Sequence, residues 1–435
     1  MKTGLLKRMT VVFALMAWIF ILSACNSSEE QNQSTESDFV SSNLARKTTP
    51  VVDDTDMMQL ISDNNAFAFD LYQKMRTDEG NLFYSPFSIS MALAMTYAGA
   101  RENTAAEMAH IMRYGLSPEK LHPAFNKIDL EINSRGENVK KDEGTAFTLN
   151  VVNAIWGQKG KSWLQNFLDT LAVNYGAGLR ILDFIADAAA SRKTINDWVA
   201  EQTEQKIKDL LPEDSVTVDT RMVLTNAIYF KASWMHQFDK SQTKDGVFTL
   251  LNGSTITGPM MNQTAMFLYA DGEGYIALSL PYVGNDLSMI ILMPDEGNFN
   301  NFENRLTLET LGEIKSAFSY TNIKLSFPRF EFEDPTGLKD ILTSMGMKLA
   351  FSPTHADFSG IDGTKTLYIS DVLHKAFVNV NEEGTEATAA TAVGMGITSM
   401  PPPPIEAKIN RPFIFLIQDK TGAILFAGRV VNPKS

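Results

Sequence analysis

Histidines are the first residues to consider for catalysis or metal binding, and this chain of 435 residues has five of them. They lie too far apart in the sequence to form the pair, one helical turn apart, that binds zinc in many hydrolases. The five are His110, His122, His236, His355 and His374. No Gly-x-Ser-x-Gly sequence is present, and Gly160-Lys161-Ser162 lacks the earlier glycine of a phosphate-binding loop, because Ile155 occupies its position. The sequence therefore predicts no catalytic activity, no metal and no cofactor.

A run of Gly, Ala, Thr and Ser at 384–399 is the next feature to explain, and four prolines follow it at 401–404. In a strand, alternate side chains share a face, so Thr385, Val393 and every second residue between them would point the same way. Proline would remove hydrogen bonds from a sheet, and none occurs from 384 to 400. The segment is therefore either a flexible surface loop with a stiff polyproline end or a strand that can insert into a sheet.

The elements that would position this segment follow from the spacing of apolar residues. Helical patterns cover residues 56–75, 89–112 and 192–211. Segments rich in β-branched and aromatic residues, which predict strands, cover 147–156, 221–230, 275–293 and 323–332. Helices precede strands along the chain, and this order favours a single α+β domain over 51–435.

The N-terminus has the pattern of a targeting segment. Lys2, Lys7 and Arg8 precede an apolar run at 11–22, so residues 1–24 are predicted to be a signal peptide. Leu22-Ser23-Ala24-Cys25 resembles a bacterial lipoprotein box, and Cys25 is the chain's one cysteine. Lipidation of Cys25 would anchor an exported protein to a bacterial membrane, with the outer membrane or cell surface as the expected location. The alternative is an ordinary secretory cleavage site beside a chance cysteine.

The residues after Cys25 are polar, and residues 25–50 are therefore predicted to form a flexible tether. Removal of the signal peptide changes the formal net charge from −13 to −16, because that segment carries three basic residues and no acidic ones. This charge argues against nucleic acid as a partner.

Four blocks of the sequence, in order, resemble the serpin family of serine protease inhibitors. They are SPFSISMAL at 85–93, NAIYFKASW at 226–234, NVNEEGTEATA at 379–389 and NRPFIF at 410–415. The resemblance implies a serpin fold with about eight to nine helices, three β-sheets and an exposed reactive-centre loop at about 382–404. It also implies a monomer whose partners are target proteases.

The resemblance implies a mechanism as well. A protease cuts the loop, forms its acyl intermediate, and is carried off as the freed loop inserts into the main sheet. The matching hinge residues are Glu382, Gly384, Thr385, Ala387, Ala389 and Thr391. Counting along the loop as in the family places the cut between Thr398 and Ser399, with cleavage after Ile397 or Met400 as alternatives.

Five further residues carry over from the family as a switch that lets the sheet open. They are Ser85, Ser88, Asn226, His374 and Trp234. Short polar groups and an imidazole can exchange hydrogen bonds between open and closed sheets. Without the resemblance, His374 would be interpreted as a satisfied core histidine and Trp234 as a core aromatic residue.

The loop sequence also bears on the target. Residues 384–404 contain no Lys or Arg, so elastase-like or subtilisin-like serine proteases are expected rather than trypsin-like ones, and cysteine proteases stay open. The alternative function is a non-inhibitory serpin that serves as a binding or chaperone protein and whose loop is merely a substrate. Small residues in the hinge argue against that alternative, although Gly394 and Gly396 would weaken an inserted strand.

Overall fold

The helices and strands are those of a computed structural model, which describes residues 38–76, 80–135, 148–385 and 403–435. The α-helices within these ranges are α1 Asp54–Met75, α2 Pro86–Tyr97, α3 Glu102–Ile111, α4 Pro118–Asn133, α5 Gln165–Tyr175, α6 Ala188–Gln202, α7 Phe299–Arg305, α8 Leu308–Ser316, α9 Leu338–Met345 and α10 Ser359–Asp362. The strands within them are β1 Asp38–Val40, β2 Leu82–Tyr84, β3 Thr148–Gln158, β4 Leu179–Leu182, β5 Met222–Ser233, β6 Lys244–Thr249, β7 Thr255–Gly272, β8 Tyr275–Pro281, β9 Leu287–Pro294, β10 Ser319–Pro328, β11 Phe330–Gly337, β12 Asp371–Val380, β13 Gly384–Thr385, β14 Ile405–Lys408, β15 Phe413–Asp419 and β16 Ile424–Val430. The predicted α+β class is confirmed.

Helix α1 follows the predicted apolar pattern. Asp54 lies in its first turn and Lys74 in its last, where the helix dipole favours these charges. Leu60, Phe67 and Leu71 lie on one side at helical spacing and are buried. The helix therefore forms because one apolar face packs into the core.

The strands form two hydrogen-bonded sheets among the described residues. The seven-stranded sheet has the order β1-β4-β3-β5-β13-β12-β11, and the nine-stranded sheet has the order β14-β10-β7-β8-β9-β15-β16-β2 with β6 paired to β7. Three sheets were predicted, and two hydrogen-bonded sheets occur among the described residues, because the 18-residue strand β7 pairs with β6, β10 and β8 and places them in one sheet. Ten α-helices occur in the described ranges instead of eight to nine, and the four-residue α10 accounts for one of them.

Strand β5 lies at the centre of the seven-stranded sheet and is covered on both faces. Leu224 and Ile228 belong to the main hydrophobic core, against which α2 packs. Val223 and Ala227 belong to a second cluster that includes Ile195 of α6. Coverage on both faces explains why this strand is apolar almost throughout.

Residues 38–50 belong to the folded body, and the prediction that they form a flexible tether was wrong. Strand β1 pairs with the edge strand β4. Arg46 forms an ion pair of 2.6 Å with Asp129, and the backbone N–H of Lys47 donates to the carbonyl of Val173 at 2.9 Å. Composition did not reveal this because the partners of the segment are distant in sequence, and apart from Val40, which packs against the core, polar contacts hold it.

The remaining N-terminal predictions lie outside the described residues: the signal peptide at 1–24, Cys25 and the tether before residue 38. The chain from Thr35 to Ser435 forms one compact unit. In the ranges that the structure describes, every helix is too short or too polar to cross a membrane.

Candidate functional site

The candidate site is the junction between β5 and β12 in the seven-stranded sheet. These two strands run parallel, and Asn226 is the register partner of His374. At the far end of the junction the short strand β13 lies between them and runs antiparallel to both. The junction is thus closed along most of its length and parted at one end.

Beneath the closed part lies the N-terminus of α2. Ser85 caps this helix, because its hydroxyl accepts a hydrogen bond of 3.1 Å from the backbone N–H of Ser88. Pro86 occupies the first helical position, where a missing N–H costs nothing. The cap therefore directs two serine side chains toward the underside of the sheet.

Four of the five predicted switch residues meet at this point. Ser85, Ser88, Asn226 and His374 are each completely buried. The backbone N–H of Ser85 donates to His374 Nε2 at 3.2 Å. His374 therefore carries its hydrogen on Nδ1 and donates it to Asn226 Oδ1. The Asn226 amide in turn donates to Ser88 Oγ.

Burial controls the charge of this histidine. It lowers the pKa of His374 to about 3, because the charged form would lose its hydration. The imidazole is consequently neutral at physiological pH, as the hydrogen bond that it accepts from Ser85 requires. Protonation would remove that acceptor and place a charge in the core.

Sequence reasoning missed Asn153, a fifth member of this network. It lies on β3 directly opposite Asn226, whose amide donates to Asn153 Oδ1. The Asn153 Nδ2 is buried and has no hydrogen-bond partner among the described residues. Only the strand pairing reveals this residue, because 73 positions separate it from Asn226 in the chain.

The hinge residues Gly384 and Thr385 form strand β13. Gly384 pairs with Ser233, and Thr385 pairs with both Ala232 and Val380. A Cβ atom on Gly384 would lie 2.0 Å from the carbonyl oxygen of Ala232, so only glycine permits this approach. Thr385 is completely buried, as the predicted alternation of faces requires.

Glu382 is fixed at the start of the hinge. Its carboxylate accepts hydrogen bonds of 2.8 and 2.7 Å from Arg329 Nε and one of 2.5 Å from the Thr243 hydroxyl. Burial raises the pKa of Glu382, but these hydrogen bonds more than offset that effect, and the pKa lies below its ordinary value. The neighbouring Glu383 pairs with Lys240 at 2.5 Å. The Glu382 carboxylate is therefore held as an anion.

Trp234, the fifth predicted switch residue, lies at the parted end of the junction. Its indole N–H donates to the Asn381 carbonyl at 2.9 Å, and its backbone N–H donates to the Glu383 carbonyl at 2.9 Å. The indole stacks on Tyr282 with ring centroids 4.6 Å apart. Trp234 thus supports the hinge and is separate from the cluster around His374.

The other predicted site residues lie outside the described residues. These are Cys25, the hinge residues Ala387, Ala389 and Thr391, and the candidate cleavage residues Ile397, Thr398, Ser399 and Met400. Their assignments stay predictions. Tyr282, Thr243 and Arg329 touch the hinge and were not predicted, since no local sequence signal connects them to it.

Comparisons with known proteins match this architecture. Residues 62–433 match the family model described as Serpin (serine protease inhibitor). An uncharacterized serpin-like protein of Thermococcus kodakarensis is 41% identical over 374 residues, covering 85% of each chain. The leukocyte elastase inhibitor of Homo sapiens is 38% identical over 393 residues, covering 87% of this chain and 100% of that protein.

A solved structure agrees. Thyroxine-binding globulin in complex with thyroxine has a TM-score of 0.75 at 30% identity, covering 87% of this chain and 100% of that chain. The residues that match the family model include β5, β12 and β13 and the C-terminal strands β15 and β16. This chain belongs to the serpin family.

Proposed function

We propose that this protein inhibits serine proteases of the elastase-like or subtilisin-like type, with cysteine proteases as a wider target class, by trapping them as covalent acyl complexes. The observation that carries the proposal is β13. Gly384 and Thr385 are hydrogen-bonded between β5 and β12, so the sheet has already accepted the first residues of a strand. Cleavage of the loop would free the residues after Thr385 to insert between β5 and β12 in the same way.

The existing register predicts where the loop would go. Thr385 pairs with Ala232, and antiparallel continuation would bring Thr391 opposite Asn226. The same continuation along β12 would bring Thr391 opposite His374. Insertion must therefore separate the hydrogen-bonded pair Asn226 and His374, which is the reason to propose a switch role for Ser85, Ser88, Asn226 and His374.

Strand pairing supplies the driving force. Insertion would replace the seven parallel residue pairs between β5 and β12 with antiparallel pairs on both sides of the new strand. Antiparallel pairing is slightly more stable per residue than parallel pairing. About ten additional hydrogen bonds at roughly 1 kcal/mol each would contribute on the order of 10 kcal/mol. That is enough to distort an active site whose deacylation step needs near-ideal geometry.

The proposed reactive bond joins Thr398 and Ser399, with Ile397 and Met400 as neighbouring candidates. Residues 384–404 offer no Lys or Arg to a trypsin-like pocket. Similarity to the leukocyte elastase inhibitor supports an elastase-like target.

A non-inhibitory function is the alternative, because a thyroxine-binding globulin is among the similar structures. The hinge argues against this alternative. Thr385 fits a completely buried position, and the later residues that match the family hinge, Ala387, Ala389 and Thr391, are small.

We also propose that the protein is exported and lipid-anchored through Cys25, and that it acts as a monomer. The lipoprotein-type sequence that ends at Cys25 supports the anchor.

A titration tests the proposed function. The chain lacking residues 1–25 is mixed with an elastase-like, a subtilisin-like and a papain-like protease and separated on denaturing gels, and released peptides are identified by mass spectrometry. A denaturant-stable band at the summed mass and a peptide that begins at Ser399 are expected. A clipped chain beside fully active protease, with all three enzymes, would establish the non-inhibitory alternative.

A further inference from the structure

The N-terminal strand lies at the end of the seven-stranded sheet that is remote from the hinge. Strand β1 pairs with β4, and Asp38 lies opposite Ile181. Ile181 is the register partner of Gly157 on β3, and Gly157 is the partner of Met222. Asp38 is therefore level with Met222, the first residue of β5.

The hinge lies at the other end of the same strand. Thr385 pairs with Ala232, ten residues beyond Met222 on β5. Ten strand steps span about 33 Å. Asp38, the first residue of β1, and Thr385, the last residue of β13, thus lie at opposite ends of the sheet.

The segment that follows β1 is bound to the folded body. Arg46 pairs with Asp129 of α4 at 2.6 Å, and Lys47 donates a backbone hydrogen bond of 2.9 Å to Val173 of α5. The Asn126 amide also donates to the Lys47 carbonyl at 2.7 Å. The tether predicted over residues 25–50 would therefore have to end before Asp38.

Trapping would bring the protease to this same end. If the Thr385–Ala232 register continues, Thr398 aligns three residues before Met222, about 10 Å past the start of β5. Four strand spacings of about 4.8 Å, or roughly 19 Å, separate the inserted strand from β1. The acylated residue would thus end roughly 20 Å from Asp38.

We infer that the membrane and the trapped protease compete for the same end of the molecule, and that the length of the segment from Cys25 to Asp38 limits trapping by the anchored protein. This inference rests on the proposed function. The segment has thirteen residue steps, which span roughly 20 Å as a random coil and at most about 47 Å when extended. A protease of about 230 residues has a diameter near 45 Å. The segment can therefore span the diameter of such a protease only when it is almost fully extended.

The test uses the chain's one cysteine. A chain that begins at Cys25 is coupled there to a maleimide lipid and bound to phosphatidylcholine vesicles, so that the anchor does not depend on cellular processing. A variant that lacks residues 26–33 is compared with a variant in which the same eight residues are replaced by Gly and Ser. Both changes fall outside the folded unit, which begins at Thr35.

The readout is the ratio of covalent complex to cleaved chain with an elastase-like protease. On vesicles we expect the deletion to lower this ratio at least threefold and the Gly-Ser replacement to leave it unchanged; without lipid, both variants should match the parent chain. Equal ratios on vesicles for the deletion and the replacement would overturn the inference while the proposed function stands. Absence of complex from the unanchored parent chain would instead overturn the proposed function, and this inference with it.

Discussion

The hydroxyl groups of Tyr282 and Thr385 lie 2.9 Å apart, and both residues are completely buried beneath the parted end of the sheet. This contact ties the first inserted side chain of the hinge to a ring that also stacks on Trp234. The hinge therefore has a specific binding place in the uncut chain, and its residues can be tested one at a time.

Replacement of Thr385 by arginine should convert the protein from an inhibitor into a substrate. A long cation does not fit a fully buried position next to Tyr282, so the cut loop would insert too slowly to hold the protease. We expect the yield of covalent complex to fall at least about tenfold with normal cleavage. The control is Thr385→Ser, which keeps the hydroxyl, and a normal complex yield from Thr385→Arg would contradict the account.

Glu382→Gln should destabilise the protein far more than Glu383→Gln. Glu382 is almost completely buried and accepts charge-assisted hydrogen bonds from Arg329, each worth about 1.5–3 kcal/mol. The partner of Glu383 is Lys240, an exposed side chain, and such a pair contributes at most about 1 kcal/mol. Urea unfolding measures both variants, and equal losses of unfolding free energy would show that the hinge carboxylates are not distinguished as described.

Stability should fall as the pH is lowered from 7 to 5. The folded-state pKa of His374 is depressed to about 3, so its contribution is fully present above the unfolded value near 6.5 and is lost as the pH falls below it. At pH 5 the expected loss is about 2 kcal/mol from this residue. Burial also lowers the pKa of His122 to about 4, so a similar loss is expected there.

Two variants separate these contributions. His374→Asn keeps a donor toward Asn226 and cannot be protonated, and His122→Asn is the matched change at the other site. Urea unfolding at several pH values should show a smaller pH dependence in each variant than in the parent chain, with a difference of about 2 kcal/mol at pH 5 for His374→Asn. An unchanged dependence in His374→Asn would mean that this imidazole is not buried and neutral.

Local patterns predicted the elements whose side chains alternate or repeat regularly. The segments at 56–75, 147–156 and 221–230 became α1, β3 and β5 with small changes of boundary. The single strand predicted at 275–293 is two strands, β8 and β9, because the chain turns at Asn285, which has a positive φ of 57°. Gly284, Asn285 and Asp286 are residue types that favour turns, so this division was present in the sequence and the prediction overlooked it.

Some residues of the candidate site could be predicted from the sequence and others could not. Ser85, Ser88, Asn226 and His374 were found because the family motif carries them, whereas Asn153 was missed because it enters the network only through strand pairing. Residues 38–50 were misassigned for a related reason, since distant partners on α4 and α5 hold them. Long-range pairing is the information that a single sequence does not display.

The melting temperature of the chain before and after cleavage in the loop tests the central claim most directly. If the freed loop becomes a strand between β5 and β12, about 10 kcal/mol of added stability should raise the melting temperature by more than about 10 °C. Thr385→Arg, cleaved in the same way, should show a much smaller rise. An unchanged or lower melting temperature for the cleaved parent chain would contradict the insertion of the loop and the inhibitory mechanism that depends on it.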